Sequence, residues 1–164
     1  MYLIACLLLA SNSDAQPCNM AGVYKIGPGG SYTTITSALS ALSTNGVAGS
    51  VILELKSNYV TIGETFPLNF TNIPCASATK TITLRPEAGA TGISIHSASQ
   101  FVAISLNQAK YIIIDGRPGG TGTVSELSIT SASPNGAILF NNDASYNTVT
   151  YTTVGSAGAY VITF

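Results

Sequence analysis

Asp115, Arg117 and Asp143, two carboxylates and a guanidinium, are the side chains of this sequence best suited to chemistry. Paired carboxylates flanking a glycosidic bond can serve as acid and as base or nucleophile, while a guanidinium forks onto a uronate. Their meeting depends on spacing. If Ile113 stacks on Leu139, a step of 26 residues, Asp115 falls on Asn141 and Arg117 on Asp143, at the roughly 4.8 Å separation of paired strands. The same register also describes an Arg117–Asp143 ion pair and an Asp115–Asn141 hydrogen bond that finish two strand ends. This plainer reading is preferred, because exposed ion pairs are common and contribute about 0 to 1 kcal/mol. Asp115, Arg117 and Asp143 stand as the candidates for catalysis, and no complete catalytic constellation is identified.

Other reactive residue types are sparse. His96 is the single histidine; without a second His or a nearby Cys it makes no zinc site, and a solvated or hydrogen-bonded strand-end histidine is expected. Gly27-Pro28-Gly29-Gly30 and Gly116-Arg117-Pro118-Gly119-Gly120 lack the spacing of a phosphate cradle and read as turns. No G-x-S-x-G elbow occurs among the many serines. No cofactor or metal is expected. Asn69-Phe70-Thr71 matches the N-glycosylation triplet and is read as a loop. Tyrosine is the main aromatic, eight residues, either stacking on sugar rings or half-buried in strands.

The elements that must position these groups are mostly strands. From Thr34 to Thr44, Ile35, Ala38, Leu39 and Leu42 follow helical spacing, with Thr33 or Thr34 as N-cap and Gly46 as a left-handed stop. In Val51-Ile52-Leu53-Glu54-Leu55 the residues Val51, Leu53 and Leu55 share one face, the period of a half-buried strand. Eight short runs follow: Thr81–Leu84, Ile93–Ile95, Val102–Leu106, Tyr111–Asp115, Leu127–Thr130, Ala137–Phe140, Thr148–Thr152 and Tyr160–Phe164. They divide into two interleaved series, one centred on Ile82, Ile104, Ile129 and Tyr151, the other on Ile95, Ile113, Leu139 and Ile162. A step near two dozen residues is one coil of a parallel β-solenoid. The fold expected is all-β, a right-handed parallel β-helix with a short N-terminal capping helix. A β-sandwich is the alternative, with Pro134-Asn135-Gly136 as a hairpin turn.

Composition narrows the setting. Charged residues are 8% and the net charge is −1, while serine and threonine supply 38 positions, so hydroxyls and amides carry the polarity. The cationic residues are scattered singly, which argues against nucleic acid and anionic lipid as partners. Tyr2–Ala10 is apolar but too short to span a bilayer, and Ser13-Asp14-Ala15 offers a signal-peptidase site before Gln16. Residues 1–15 are therefore expected to be a signal peptide, leaving 16–164 secreted or at the cell surface and not membrane-spanning. Removal of the leader takes Cys6, so Cys18 and Cys75 are either a disulfide or two small buried side chains.

Tyr32-Thr33-Thr34-Ile35-Thr36-Ser37-Ala38-Leu39, then Val51–Leu55, then Ser57-Asn58-Tyr59 resembles the entry segment of pectin-lyase-like right-handed parallel β-helix proteins. Tyr111-Ile112-Ile113-Ile114-Asp115-Gly116 is similar to the strand and turn of a rung, particularly in secreted surface proteins of Bacteroidetes. The resemblance implies a fold shared by pectate lyases, pectin esterases, polygalacturonases and adhesins, and so does not choose an activity. No catalytic motif of those enzymes matches. The expectation is an adhesive or carbohydrate-binding surface module whose partner is a polysaccharide or cell-surface glycan; the alternative is the N-terminal fragment of a polysaccharide-active enzyme. Because the last run, Tyr160–Phe164, carries no polar cap, either edge-to-edge self-association or a C-terminal continuation of residues 16–164 is also expected.

Overall fold

A computed structural model of the chain describes residues 17 to 164. Strand β1 (Met20–Ile26) precedes helix α1 (Ile35–Asn45) and β2 (Val47–Leu55), and short strands follow. These are β3 (Leu68–Phe70), β4 (Ile82–Pro86), β5 (Ile93–Ser97), β6 (Ile104–Asn107) and β7 (Ile112–Asp115). After them come β8 (Leu127–Ser131), β9 (Ile138–Asn141), β10 (Thr148–Thr150), β11 (Thr152–Ser156) and β12 (Ile162–Thr163). The expected signal peptide, with Cys6, lies outside the described residues.

Helix α1 forms where the apolar spacing places it. The Thr34 hydroxyl accepts from the Ser37 amide at 3.1 Å, and Gly46, at φ 55°, closes the last turn by donating to the Leu42 carbonyl. Its buried stripe, Ile35, Ala38, Leu39 and Leu42, lies against β1, β2 and β3, as a helix of three turns requires. The N-terminus holds a feature that spacing does not show. Glu64 accepts from the Ile35 and Thr36 amides at 2.6 and 2.8 Å, from the Thr36 hydroxyl at 2.6 Å and from the Tyr59 hydroxyl at 2.9 Å. Burial, then Glu64 itself, pushes the Tyr59 phenol well above its ordinary pKa, so it stays a donor. Glu64→Ala strips the first-turn amides of their acceptor, and a loss of about 2 kcal/mol is expected in urea denaturation. An unchanged midpoint would mean that water replaces the carboxylate without cost.

All named strands pair in parallel and form three sheets, ordered β1-β2-β4-β7-β10, β5-β8-β11 and β3-β6-β9-β12. From β4 onward the chain visits the sheets in a fixed cycle, one strand in each. Registered partners align apolar side chains in columns, buried except for the half-buried Val154 and Ile162: Leu53, Leu84 and Ile114 in the first sheet, Ile95, Ile129 and Val154 in the second, Leu68, Ile104, Ile138 and Ile162 in the third. Leu53, Ile82, Leu84, Ile95, Ile104 and Leu106 are fully enclosed. Between consecutive turns the chain makes sharp corners. Gly116 donates to Thr150 O at 3.0 Å, and a Cβ there would sit 1.6 Å from Tyr151 O, so only glycine admits that approach.

Several sequence expectations are corrected. Parallel pairing overturns the antiparallel sandwich, and Pro134-Asn135-Gly136 joins β8 to β9, which lie in different sheets rather than in a hairpin. The two series of runs are not columns: Ile82, Ile104 and Ile129 fall in three different sheets, as do Ile95, Ile113 and Leu139. Real column steps run from 24 residues (Ile138 to Ile162) to 36 (Leu68 to Ile104). The six runs from Thr81 to Phe140 are one strand each, β4 to β9, and it is every third run, not every second, that returns to a sheet. Tyr151, at φ 47°, in addition breaks the run Thr148–Thr152 into β10 and β11, in separate sheets. Asn69-Phe70-Thr71 is no loop either: Asn69 and Phe70 lie in β3, with Phe70 fully buried.

Candidate functional site

Ile113 pairs with Thr83 and Thr148, and Leu139 with Ser105 and Thr163, so the proposed stack does not exist. Asp115 lies beside Thr150 and Asn141 beside Asn107. Arg117 turns back on Asp115 two residues earlier, its Nη2 2.7 Å from Oδ2, its Nε 2.9 Å from Oδ1 and its amide 3.0 Å from Oδ1. The guanidinium also lies 4.5 Å from the centre of the Tyr151 ring. Burial raises the Asp115 carboxyl, but the Arg117 hydrogen bonds and charge, with the charge of Arg85, outweigh it and hold the pKa below its ordinary value. Asp115 is therefore an engaged anion. Asp143 stands apart, on the turn after β9 at the end of the third sheet.

Asp115 belongs instead to a charge cluster on the first sheet. Lys25, Glu54 and Arg85 are registered neighbours on β1, β2 and β4. Glu54, 7% exposed, receives Lys25 Nζ at 2.6 Å and Arg85 Nη2 at 2.6 Å, and Glu87 also receives Lys25 at 3.1 Å. Three of the six basic and three of the seven acidic side chains thus meet here with signs balanced. This is structural cement. Its members sit about thirty residues apart in sequence, which is why they read as scattered.

The second cluster is a polar recess of about 230 Å³ lined by Asn72, Gln108, Lys110, Asn142 and Asp143. The turns after β3, β6 and β9 build it, one above another. Asn107 and Asn141 pair in register, and Asn142 Nδ2 donates to Asn107 Oδ1 at 2.8 Å. Asn147 locks the upper turn by accepting from the Ile112 amide at 3.0 Å and donating to Ala109 O at 2.8 Å. Left-handed residues repeat from turn to turn: Gln108 and Asn142 at φ 56° and 50°, Tyr111 and Tyr146 at 61° and 57°. Asn adopts this conformation readily, whereas Gln and Tyr do so at a cost of about 1 kcal/mol each. The Tyr111 and Tyr146 rings stack at 5.2 Å and 6°, and Tyr146 is 73% exposed.

Of the sequence candidates, then, Asp143 enters this recess while Asp115 and Arg117 pair with each other. Sequence reading missed Asn72, Gln108, Lys110 and Asn142; two turns that open on Asn and end on Tyr, at 107–111 and 141–146, were the available signal. His96 is exposed on β5, with Nδ1 2.8 Å from the Thr130 hydroxyl, in keeping with a hydrogen-bonded strand histidine. Cys18 and Cys75 form a disulfide. Among the described residues, no His, Cys, Asp and Glu side chains gather in threes as metal ligands, and no helix is long and apolar enough to cross a membrane. Comparison with protein-family models, curated proteins and solved structures returned no match for this chain.

Proposed function

We propose that this chain is an exported right-handed parallel β-helix module of the pectin-lyase-like kind that binds a polysaccharide or cell-surface glycan without cleaving it. The cyclic passage through three parallel sheets supports the solenoid, and the apolar leader with a Cys18–Cys75 disulfide supports an oxidising compartment outside the cytoplasm. One observation carries the binding function: three stacked turns bring amides, one ammonium and one carboxylate to a single recess, and the turn that supplies Asp143 ends on the exposed Tyr146. Amides and carboxylates pair with sugar hydroxyls in both donor and acceptor roles, and an aromatic ring covers the C–H face of a pyranose. Binding is preferred to cleavage because Asp115 is tied to Arg117 and shares no face with Asp143. A glycan array followed by calorimetry tests the reading. Asp143→Asn and Gln108→Asn both tolerate left-handed backbone, and each is expected to weaken glycan binding about tenfold, or 1.4 kcal/mol, without lowering the melting temperature. Native affinity in both variants, or no glycan bound by the native chain, would overturn it.

A further inference from the structure

Asparagine is a chemically labile residue, most of all before glycine, whose nitrogen meets the side-chain amide with no Cβ in the way. Two such pairs occur, Asn45-Gly46 and Asn135-Gly136, and the fold treats them differently. Asn45-Gly46 is tied down at the end of α1: Asn45 Nδ2 donates to Ala41 O at 2.8 Å, the Gly46 amide donates to Leu42 O at 2.9 Å, and Pro17 O and Pro74 O crowd the glycine. Asn135-Gly136, in the β8–β9 corner, is held only through the main chain of Asn135. Its amide donates to Ser133 Oγ at 3.1 Å and its carbonyl accepts from Thr163 Oγ1 at 2.8 Å. Neither the Asn135 side chain nor the Gly136 amide has a hydrogen-bond partner among the described residues. Asn135 is exposed although its corner has a turn on either side, Ala137 accepting from the Ala103 amide and donating to Val161 O, both at 2.9 Å. Gly136 is enclosed between those turns, but the group that must reach its nitrogen is the side chain next to it.

We propose that Asn135-Gly136 is a modification site at which the folded chain deamidates itself, while Asn45-Gly46 is protected. The Gly136 nitrogen attacks Asn135 Cγ, forming an N–Cγ bond and a five-membered imide. The Cγ–Nδ2 bond breaks, and Nδ2 leaves as ammonia with the Gly136 amide proton as its third hydrogen. Water then opens the ring at either carbonyl, leaving aspartate or isoaspartate at this position and one new negative charge. The isoaspartate form lengthens the main chain by one carbon beside Ala137, whose amide and carbonyl tie the corner to both neighbouring turns. Ageing at this one pair therefore loosens the corner that joins β8 to β9.

Incubating the folded protein in mildly alkaline buffer, then measuring intact mass and mapping peptides, tests this independently of the glycan reading. The expected product is one dalton heavier, carries the change at Asn135, and exchanges the Ala103 and Ala137 amides faster. Asn45 is expected to react at least about tenfold more slowly, because two hydrogen bonds must break first. Unfolding in urea is expected to abolish the contrast, so that both pairs react alike. Asn135→Gln, whose longer side chain cannot close a five-membered ring on that nitrogen, is expected to remove the reaction from the folded protein. Equal rates at Asn45 and Asn135 in the folded protein, or an intact Asn135 there while the urea-unfolded chain reacts, would overturn the proposal.

Discussion

Glu54→Ala is expected to destabilise the protein by about 3 to 5 kcal/mol, the range for removing one partner of a buried ion pair. The carboxylate is enclosed by two cations, and its loss leaves Arg85, whose side chain is only 20% exposed, without its ion-pair partner and Lys25 with Glu87 alone. Lys25→Ala should cost much less, under about 1 kcal/mol, since that side chain is 43% exposed and water replaces its contact. Acid should act on the same group. Burial raises the Glu54 carboxyl, and the Lys25 and Arg85 hydrogen bonds more than reverse this, so its folded pKa lies below the ordinary value. A depressed carboxyl contributes stability above its unfolded pKa and loses it as the pH falls through the folded value. The native chain should therefore weaken as the pH drops below the ordinary carboxylate range, with a shallower slope in Glu54→Ala, in urea titrations at several pH values. Identical slopes would place the acid sensitivity elsewhere, with Asp115 the next group to replace.

The elements were more legible than their assembly. Helix α1 could be read from Ile35, Ala38, Leu39 and Leu42 because a helix buries a stripe set by local spacing. β2 could be read from the alternation of Val51, Leu53 and Leu55. Parallel columns are different, because the connection between paired strands varies by a dozen residues and nothing local records its length. Even where each run is one strand, as from β4 to β9, nothing local tells a cycle of three sheets from an alternation of two, and Tyr151, in a left-handed corner, also hides the break between β10 and β11. The candidate site failed for the same reason. Asp115 and Asp143 were joined through a register that put Ile113 over Leu139, and with that register gone only Asp143 kept a place in a site. Lys25, Glu54 and Arg85 escaped notice because charges registered across parallel strands look isolated in a linear sequence.

Removing the disulfide with Cys18→Ser and Cys75→Ser together is expected to lower stability by up to about 4 kcal/mol, the chain-entropy estimate for the 57-residue separation it spans. That is a large share of the roughly 5 to 15 kcal/mol that holds a domain together. The bond joins two segments that backbone contacts already bring near the end of α1. The Asn19 amide donates to Asn45 O and the Met20 amide to Gly46 O, while the Val47 amide donates to Pro74 O beside Cys75. Gly46 fills the junction, since a Cβ there would lie 2.8 Å from Pro17 O and 3.0 Å from Pro74 O. The folded state is thus able to keep this corner without the sulfur link, and the effect should arise in the unfolded chain, which gains freedom when the loop opens. Two signatures follow from that origin: the double variant should keep native circular dichroism at low denaturant, and reducing the native protein should lower its denaturation midpoint by the same amount. A double variant as stable as the oxidised protein would show that the backbone contacts at Gly46 alone hold β1 to the β3–β4 turn.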